Sequence, residues 1–134
     1  MKLSSSPYES ALENKEFSPE DLVMSYYKFV DTGDFESLYS LFSDDIVYKR
    51  CEQEICGIED FMNFYENERK INGKHTINNI IVNKKYVVTR GVFTGINSNN
   101  ESIELEFADF FEFDISCKIN KRFTYLANGY ESTK

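Results

Sequence analysis

From about residue 75 to residue 127 the chain shows no helical periodicity, only runs that alternate apolar and polar residues between short turns. The clearest run is "IELEFADFFEFDI", residues 103 to 115. Ile103, Leu105, Phe107, Phe111 and Phe113 form one face, and Glu104, Glu106, Glu112 and Asp114 form most of the other. Side chains in a strand alternate between two faces, so this is a half-buried strand. The same reading places strands at roughly 75–83, 86–96 and 102–114, with "NSNN" as the turn before the last, and a final strand at "INKRFTYLA" after "SCK". Successive strands with hairpin-length links bury a shared apolar face by forming a curved antiparallel sheet, and something must cover that face.

The cover comes from the first half. Ser18 is a good helix N-cap, Pro19 suits the first turn, and Asp21 completes a capping box. Leu22, Tyr26, Phe29 and Val30 share one side of this helix, and Gly33 stops it. Asp34 caps a second helix with Phe35, Leu38, Tyr39 and Phe42 as its stripe. "DDIVYKRC" is a short strand in which Ile46, Tyr48 and Arg50 point one way and Val47 and Lys49 the other. "GIEDFMNFYENERKING" is a third helix that buries Ile58, Phe61, Met62 and Tyr65 and ends at Asn72-Gly73. The fold class expected is therefore α+β: a curved antiparallel sheet packed on three helices. Residues 1–17 read as a loose polar arm, 18–127 as a single domain and 128–134 as a frayed tail.

One residue breaks the pattern. Asp109 sits at the centre of the apolar face of its strand. Fully buried, unpaired carboxylates are rare, so Asp109 either serves function or pairs with Arg50, Arg90 or a backbone donor.

Composition narrows what such a site can serve. The 134 residues suit one domain with one core, and with 41% hydrophobic and 16% aromatic residues that core is sizeable. A net charge of −8 argues against a nucleic-acid partner, which needs a basic face. No apolar run reaches the ~18 residues of a membrane span, and "MKLSSSPYES" lacks the apolar stretch of a secretion signal. A cytoplasmic location is expected, without membrane partners. Cys51, Cys56 and Cys117 are too few and too isolated for a disulfide framework or a zinc site, so no metal is expected.

The order of elements, with "YYKFVDTGDFESLYSLFSDDIVYK", "GIEDFMNFY" and "FADFFEFDISCKINKRF", resembles the nuclear transport factor 2-like superfamily over about residues 19 to 127. Within it, the chain is most similar to the SnoaL-like polyketide cyclases and ketosteroid isomerases. The resemblance implies a cone-shaped sheet around helices, with an apolar cavity at the wide end that takes a hydrophobic small molecule. It implies a homodimer through the convex sheet face, with Phe93 or Phe110 at the interface.

The resemblance also implies site residues. Tyr26 and Asp109 match the tyrosine and the protonated aspartate of the isomerase oxyanion hole, a case in which an apolar site keeps a carboxylic acid neutral so that it can donate. The isomerase's general base is replaced by Arg50, which does not abstract protons at neutral pH. The superfamily's epoxide hydrolases use an arginine with two aspartates; Arg90 matches the arginine, but Val92 and Thr124 stand at the aspartate positions. The cyclases use an inward aspartate as acid/base, a role open to Asp109. Whether Asp109 is a neutral donor or an ionised base depends on whether Arg50 reaches it. Tyr48, His75, Arg90, Phe107 and Phe111 are the expected substrate contacts, and His75, if inward, is the alternative base. The functional expectation is a cofactor-independent cyclase or isomerase acting on a hydrophobic carbonyl compound, with Asp109, Tyr26 and Arg50 as its catalytic residues. The rivals are a non-catalytic binding or accessory protein and a structural dimerisation module of the same fold.

Overall fold

The computed structural model of the chain describes residues 17–134. Helix α1 spans Pro19–Thr32, and the Ser18 side chain accepts the Asp21 N–H as expected of its cap. At its C-terminus Gly33 takes φ +73°, and the Asp34 N–H returns to the Phe29 carbonyl, which closes the helix in the left-handed manner only glycine adopts cheaply. Asp34 then caps the short α2, Phe35–Tyr39. The sheet strands are β1 (Phe42–Arg50), β2 (Gln53–Cys56), β3 (Asn72–Asn83), β4 (Tyr86–Ile96), β5 (Ser102–Phe113) and β6 (Ile119–Leu126). Helix α3, Ile58–Asn63, runs into a wide π-helical turn, Phe64–Glu68.

The architecture is α+β, as expected: a six-stranded curved sheet in the order β2-β1-β6-β5-β4-β3, with the helices on its concave side. The structure differs from the sequence reading at two element ends and in two strand pairings. Phe42 opens β1 instead of closing the stripe of the second helix, and the third helical segment stops at Glu68, with Asn72 and Gly73 already in β3. Gln53–Cys56, unassigned in that reading, forms a sixth strand that pairs antiparallel with β1 at the sheet edge. In addition, β1 pairs with β6 in parallel, with Tyr48 beside Arg122 and Arg50 beside Thr124. The sheet is therefore mixed, because the first strand lies between its sequence neighbour β2, which runs antiparallel to it, and the last strand β6, which runs parallel. The remaining pairs, β3–β4, β4–β5 and β5–β6, are antiparallel.

The loose arm expected over residues 1–17 lies outside the described residues except for Phe17, whose ring meets Phe113 edge-on at 5.6 Å. At the other end, Tyr130–Thr133 forms a 3-10 turn with Thr133 buried.

The core lies between α1, α3 and the concave face. Val23, Tyr26, Tyr27 and Val30 of α1 meet Val87, Phe107, Phe111 and Phe113 of β4 and β5. The π-helical turn matters to the core and to the site. Such a turn holds one residue more than an α-turn, and within it both Phe64 and Tyr65 are buried. It ends where the Arg69 N–H meets the Phe64 carbonyl at 2.7 Å, which fixes Arg69 at the edge of the core.

Phe93 does not sit on the convex face. It is 2% exposed and packs against His75 on the concave side. Of the two phenylalanines expected at a dimer interface only Phe110 faces outward, stacked on Phe123 at 5.8 Å. Among the described residues no helix is long and apolar enough to cross a membrane.

Candidate functional site

Tyr26, Tyr48, Arg50, Tyr65, Arg69, His75, Phe93, Phe107, Asp109, Arg122 and Thr124, with Ile71, Leu105 and Leu126, enclose one small cavity of about 40 Å³. A single water needs about 10–15 Å³ by this measure, so the space suits a carboxylate-sized group and not a fused-ring ligand. Two clusters of ionisable groups meet here.

The first cluster is built on β5 and β6. Asp109 is 1% exposed and Arg122 4% exposed. Arg122 Nη2 donates to Asp109 Oδ2 at 3.0 Å. The Tyr27 hydroxyl donates to the same oxygen at 2.5 Å, and Thr124 Oγ1 donates to Oδ1 at 2.5 Å. Thr89 Oγ1 lies 2.6 Å from the Tyr27 hydroxyl and completes the chain of bonds. Asp109 is thus inward, as its strand pattern requires, but it does not stand free. Its partner is Arg122, and neither Arg50 nor Arg90 fills that role.

Arg122 Nη1 also donates to the hydroxyls of Tyr26 and Tyr65, the latter at 3.0 Å. The two hydroxyls lie 2.5 Å apart. Burial opposes charge on Arg122, but the Asp109 carboxylate and the surrounding tyrosines hold its pKa well above the ordinary arginine value. Burial likewise pushes Tyr26 well above the ordinary tyrosine value, and Tyr65 upward, with the Arg122 charge pulling both the other way. Both therefore keep their protons at neutral pH. Two hydroxyl protons are present, and the bond between the tyrosines uses one. Arg122 only donates, so the other proton has no acceptor among the described residues. One phenol is left able to donate into the cavity.

The second cluster joins α1 to β3. His75 Nδ1 lies 2.5 Å from Asp31 Oδ1, and the His75 backbone N–H donates to Asp31 Oδ2 at 2.9 Å. The imidazole packs on the rings of Tyr27, Phe93 and Phe107 at 5.0–5.5 Å. Burial holds its pKa below the ordinary 6.5, the Asp31 carboxylate opposing and the nearby Arg69 charge adding to the lowering. The ring is therefore neutral at pH 7. With the carboxylate accepting Nδ1–H, Nε2 carries the lone pair, and no described residue hydrogen-bonds it.

Of the residues expected from the sequence, Tyr26, Tyr48, Arg50, His75, Phe107 and Asp109 all reach this cavity. Phe111 lies beneath it, fully buried against Tyr26 and Tyr27. Arg90 is on the opposite face: Val87, Thr89, Gly91 and Phe93 of β4 point inward, so the alternation turns Arg90 outward beside Ala108. Arg50 stacks over the Phe64 ring at 5.0 Å. The expected pairing of Tyr26 with Asp109 is also corrected. The tyrosine bonded to Asp109 is Tyr27, and Tyr26 joins it only through Arg122. Asp31, Tyr27, Tyr65, Arg69 and Arg122 are site residues that the sequence pattern does not single out.

The family model described as SnoaL-like domain matches residues 23–121. No curated protein matches the sequence. Among solved structures, an NTF2-like protein of unknown function from Exiguobacterium is 20% identical with a TM-score of 0.72, over 81% of this chain and 99% of its own. A protein with a ketosteroid isomerase-like fold from Catenulispora acidiphila, in complex with trimethylamine, is 16% identical with a TM-score of 0.71, over 87% and 91% of the two chains. An LEH-like epoxide hydrolase of Mycobacterium tuberculosis is 16% identical with a TM-score of 0.71, over 84% of each chain.

Proposed function

The chain belongs to the SnoaL-like domain family, and on that premise we propose that it is an enzyme whose base is His75. His75 Nε2 takes a proton from a carbon next to a carbonyl group. Asp31 holds the ring in the required tautomer and stabilises the imidazolium that forms. The spare phenol proton of the Tyr26–Tyr65 pair, backed by the Arg122 charge, stabilises the enolate oxygen. Returning the proton to another carbon isomerises the substrate, and attack of the enolate carbon on a second carbonyl cyclises it. The observation that carries this reading is the His75–Asp31 contact at 2.5 Å, which engages one ring nitrogen and leaves the other unclaimed at the cavity. The acid/base role expected of Asp109 is not favoured, because three donors already engage its two oxygens. The same saturation disfavours the water activation that epoxide hydrolysis asks of a carboxylate.

A second reading, a binding protein without turnover, is favoured by the small cavity and by Arg50 on the strand where isomerases carry their base. Proton exchange separates the two without knowledge of the substrate. Small ketones and 2-oxo acids are incubated with the protein in deuterated water and followed by NMR. We expect exchange at the carbon next to the carbonyl, slowed by roughly 10²–10⁴-fold in His75→Asn. Equal rates in the variant, or no exchange with any compound, would leave the binding protein as the better account.

A further inference from the structure

The cavity collects one kind of charge. The fifteen basic residues of this chain are four arginines and eleven lysines. Three of the four arginines, Arg50, Arg69 and Arg122, line the cavity, and no lysine does. The cavity's single lining carboxylate, Asp109, is already paired with Arg122. Among the described residues no acidic side chain comes within ion-pair distance of Arg50 or Arg69. A protein of net charge −8 thus places two unmatched guanidinium groups around one small cavity.

Their surroundings hold them there. Arg50 lies over the Phe64 ring at 5.0 Å, and Arg69 over the Phe93 ring at 5.6 Å. Arg69 Nη1 donates to the Ile71 carbonyl at 2.9 Å. Stacking on an aromatic face fixes the plane of a guanidinium and leaves its edge, where the N–H groups point, open to an acceptor. Arg50 Nε is buried without any hydrogen-bond partner, and so is Arg122 Nε. Buried N–H donors in native proteins nearly always have an acceptor, so these two stand out. Fixed, planar and charged donors in excess are the arrangement that reads a carboxylate, whose two oxygens match the guanidinium edge.

We infer that the ligand of this cavity is the anion of a small organic acid, its carboxylate held by Arg50 and Arg69. This deepens the reading above, and rests on it only for placing the reacting carbon: Arg69 and His75 both pack on the Phe93 ring, at 5.6 and 5.0 Å, and line the same cavity, which puts an anion held by Arg69 on the side of the cavity where His75 stands. The substrate class becomes a carbonyl compound bearing a carboxylate, such as a 2-oxo or 3-oxo acid, with its uncharged remainder toward the cavity mouth. The cavity volume agrees with this, since it admits the acid head and excludes a fused-ring body.

The test compares acids with their neutral isosteres on the full chain at constant ionic strength. Pyruvate, propionate and benzoate are titrated against pyruvamide, propionamide and benzamide, with unfolding temperature and calorimetric binding as readouts. We expect at least one acid to raise the unfolding temperature by a few degrees at about 10 mM, while its amide does nothing. Arg50→Gln and Arg69→Gln should each weaken that binding by roughly tenfold or more, and the double variant should abolish it. Far-ultraviolet circular dichroism confirms that each variant is folded. If Arg50→Gln does not fold, Arg69→Gln and the acid-against-amide comparison on the unaltered chain decide. Equal responses to acids and amides, a response to phosphate or chloride as large as to any acid, or no response at all overturns the proposal. His75→Asn separates it from the proton-transfer reading. That variant should keep the acid-dependent shift and lose exchange. If exchange persists in it, the base assignment falls while the anion site stands.

Discussion

The two polar clusters of the cavity are made from similar parts and end in opposite conditions. Around Asp109, three side chains donate to two carboxylate oxygens, and Arg122 binds the carboxylate on one side and two phenols on the other. Around His75, a single carboxylate takes one ring nitrogen and the backbone N–H, and Nε2 has no described partner. Asp109, with both oxygens engaged, holds strands together and presents a fixed charge, although its partner Arg122 keeps an unpaired Nε. An imidazole nitrogen with no partner can accept a proton. Burial alone does not mark a reactive group: Asp109 is the more deeply buried of the two acids, and the more fully engaged.

The sharpest way to break this contrast is Arg122→Met. It strands the Asp109 carboxylate in the core and leaves the Tyr26–Tyr65 pair without its charge. Removing one member of a buried pair costs about 3–5 kcal/mol, a large part of a total stability of about 5–15 kcal/mol. We expect urea unfolding to show a loss of that size, with exchange activity gone as well. The double variant Asp109→Leu with Arg122→Met should recover most of the stability, since two apolar groups of similar volume leave no orphan charge, and should recover none of the activity. If the double variant is as unstable as the single one, the cluster is not a self-contained ion pair.

Asp31→Asn tests the other side. The Asp31 carboxylate accepts from two donors, the His75 ring and the His75 backbone N–H. An amide has one accepting and one donating end. The backbone N–H cannot lose its proton, so the amide oxygen must face it and the NH₂ must face Nδ1. That drives the ring proton to Nε2 and removes the lone pair from the cavity. We expect exchange to fall by roughly 10²–10⁴-fold, nearly as much as in His75→Asn, with stability changed by about 1 kcal/mol. A variant that keeps most of its exchange rate would show that the tautomer is set by something other than Asp31.

Tyr27→Phe is expected to do less and to do it only to stability. It removes one donor from Asp109 and a partner from Thr89. A hydrogen bond to a charged group is worth about 1.5–3 kcal/mol. Denaturant unfolding should show a loss in that range, and proton exchange should stay within about threefold of the unaltered protein. A large loss of exchange at unchanged stability would move Tyr27 into the reactive cluster.

The parts of this picture that local pattern controls are legible in the sequence. Caps and stripes locate α1, and strict alternation across residues 103 to 113 turns Asp109 inward. Tyr48 and Arg50 share a face because the second half of β1, from Ile46 to Arg50, alternates as well. What pairing controls is not legible. In β6, Phe123 and Tyr125 share a face, and an apolar-in reading sends them to the core and Arg122 to water. The structure does the reverse: Tyr125 is 63% exposed, and Arg122 is seated between Phe111 and Tyr48 of the flanking strands. Register is set by the neighbours, and the stack of Phe123 on Phe110 makes the outward aromatic tolerable. Arg90 fails for the complementary reason, since a match by position in a family pattern does not fix the face of a strand. Tyr65 falls on the buried stripe that the sequence shows, but Arg69 follows a π-helical turn that propensity does not announce. Asp31 did leave a signal. An acid in the last turn of a helix opposes the helix dipole, and α1 has no basic residue there to compensate. An acidic residue that a helix end disfavours is a reason to look for its partner, and the partner is His75.

The smallest expected effect sharpens the contrast through pH. Burial lowers the folded-state pKa of His75 below its ordinary 6.5, which is the value the unfolded chain restores. At any pH between the folded pKa and 6.5 the unfolded chain binds more protons at this residue than the folded one. Stability then rises with pH, because the slope of unfolding free energy follows the proton excess of the unfolded state. The contribution is fully present above pH 6.5 and is lost as pH falls toward and through the folded pKa. In the proposed mechanism the same neutral ring is the base, so the exchange rate should fall over the same acidic limb. We therefore expect the difference in stability between the unaltered protein and His75→Asn to slope upward with pH below 6.5 and to be flat from pH 7 to 8, as measured by urea unfolding at fixed ionic strength. A difference that is flat from pH 5 to 8 would mean that His75 titrates in the folded protein as it does in the unfolded chain. The reactive cluster would then be open to water, and its contrast with the sealed one would be lost.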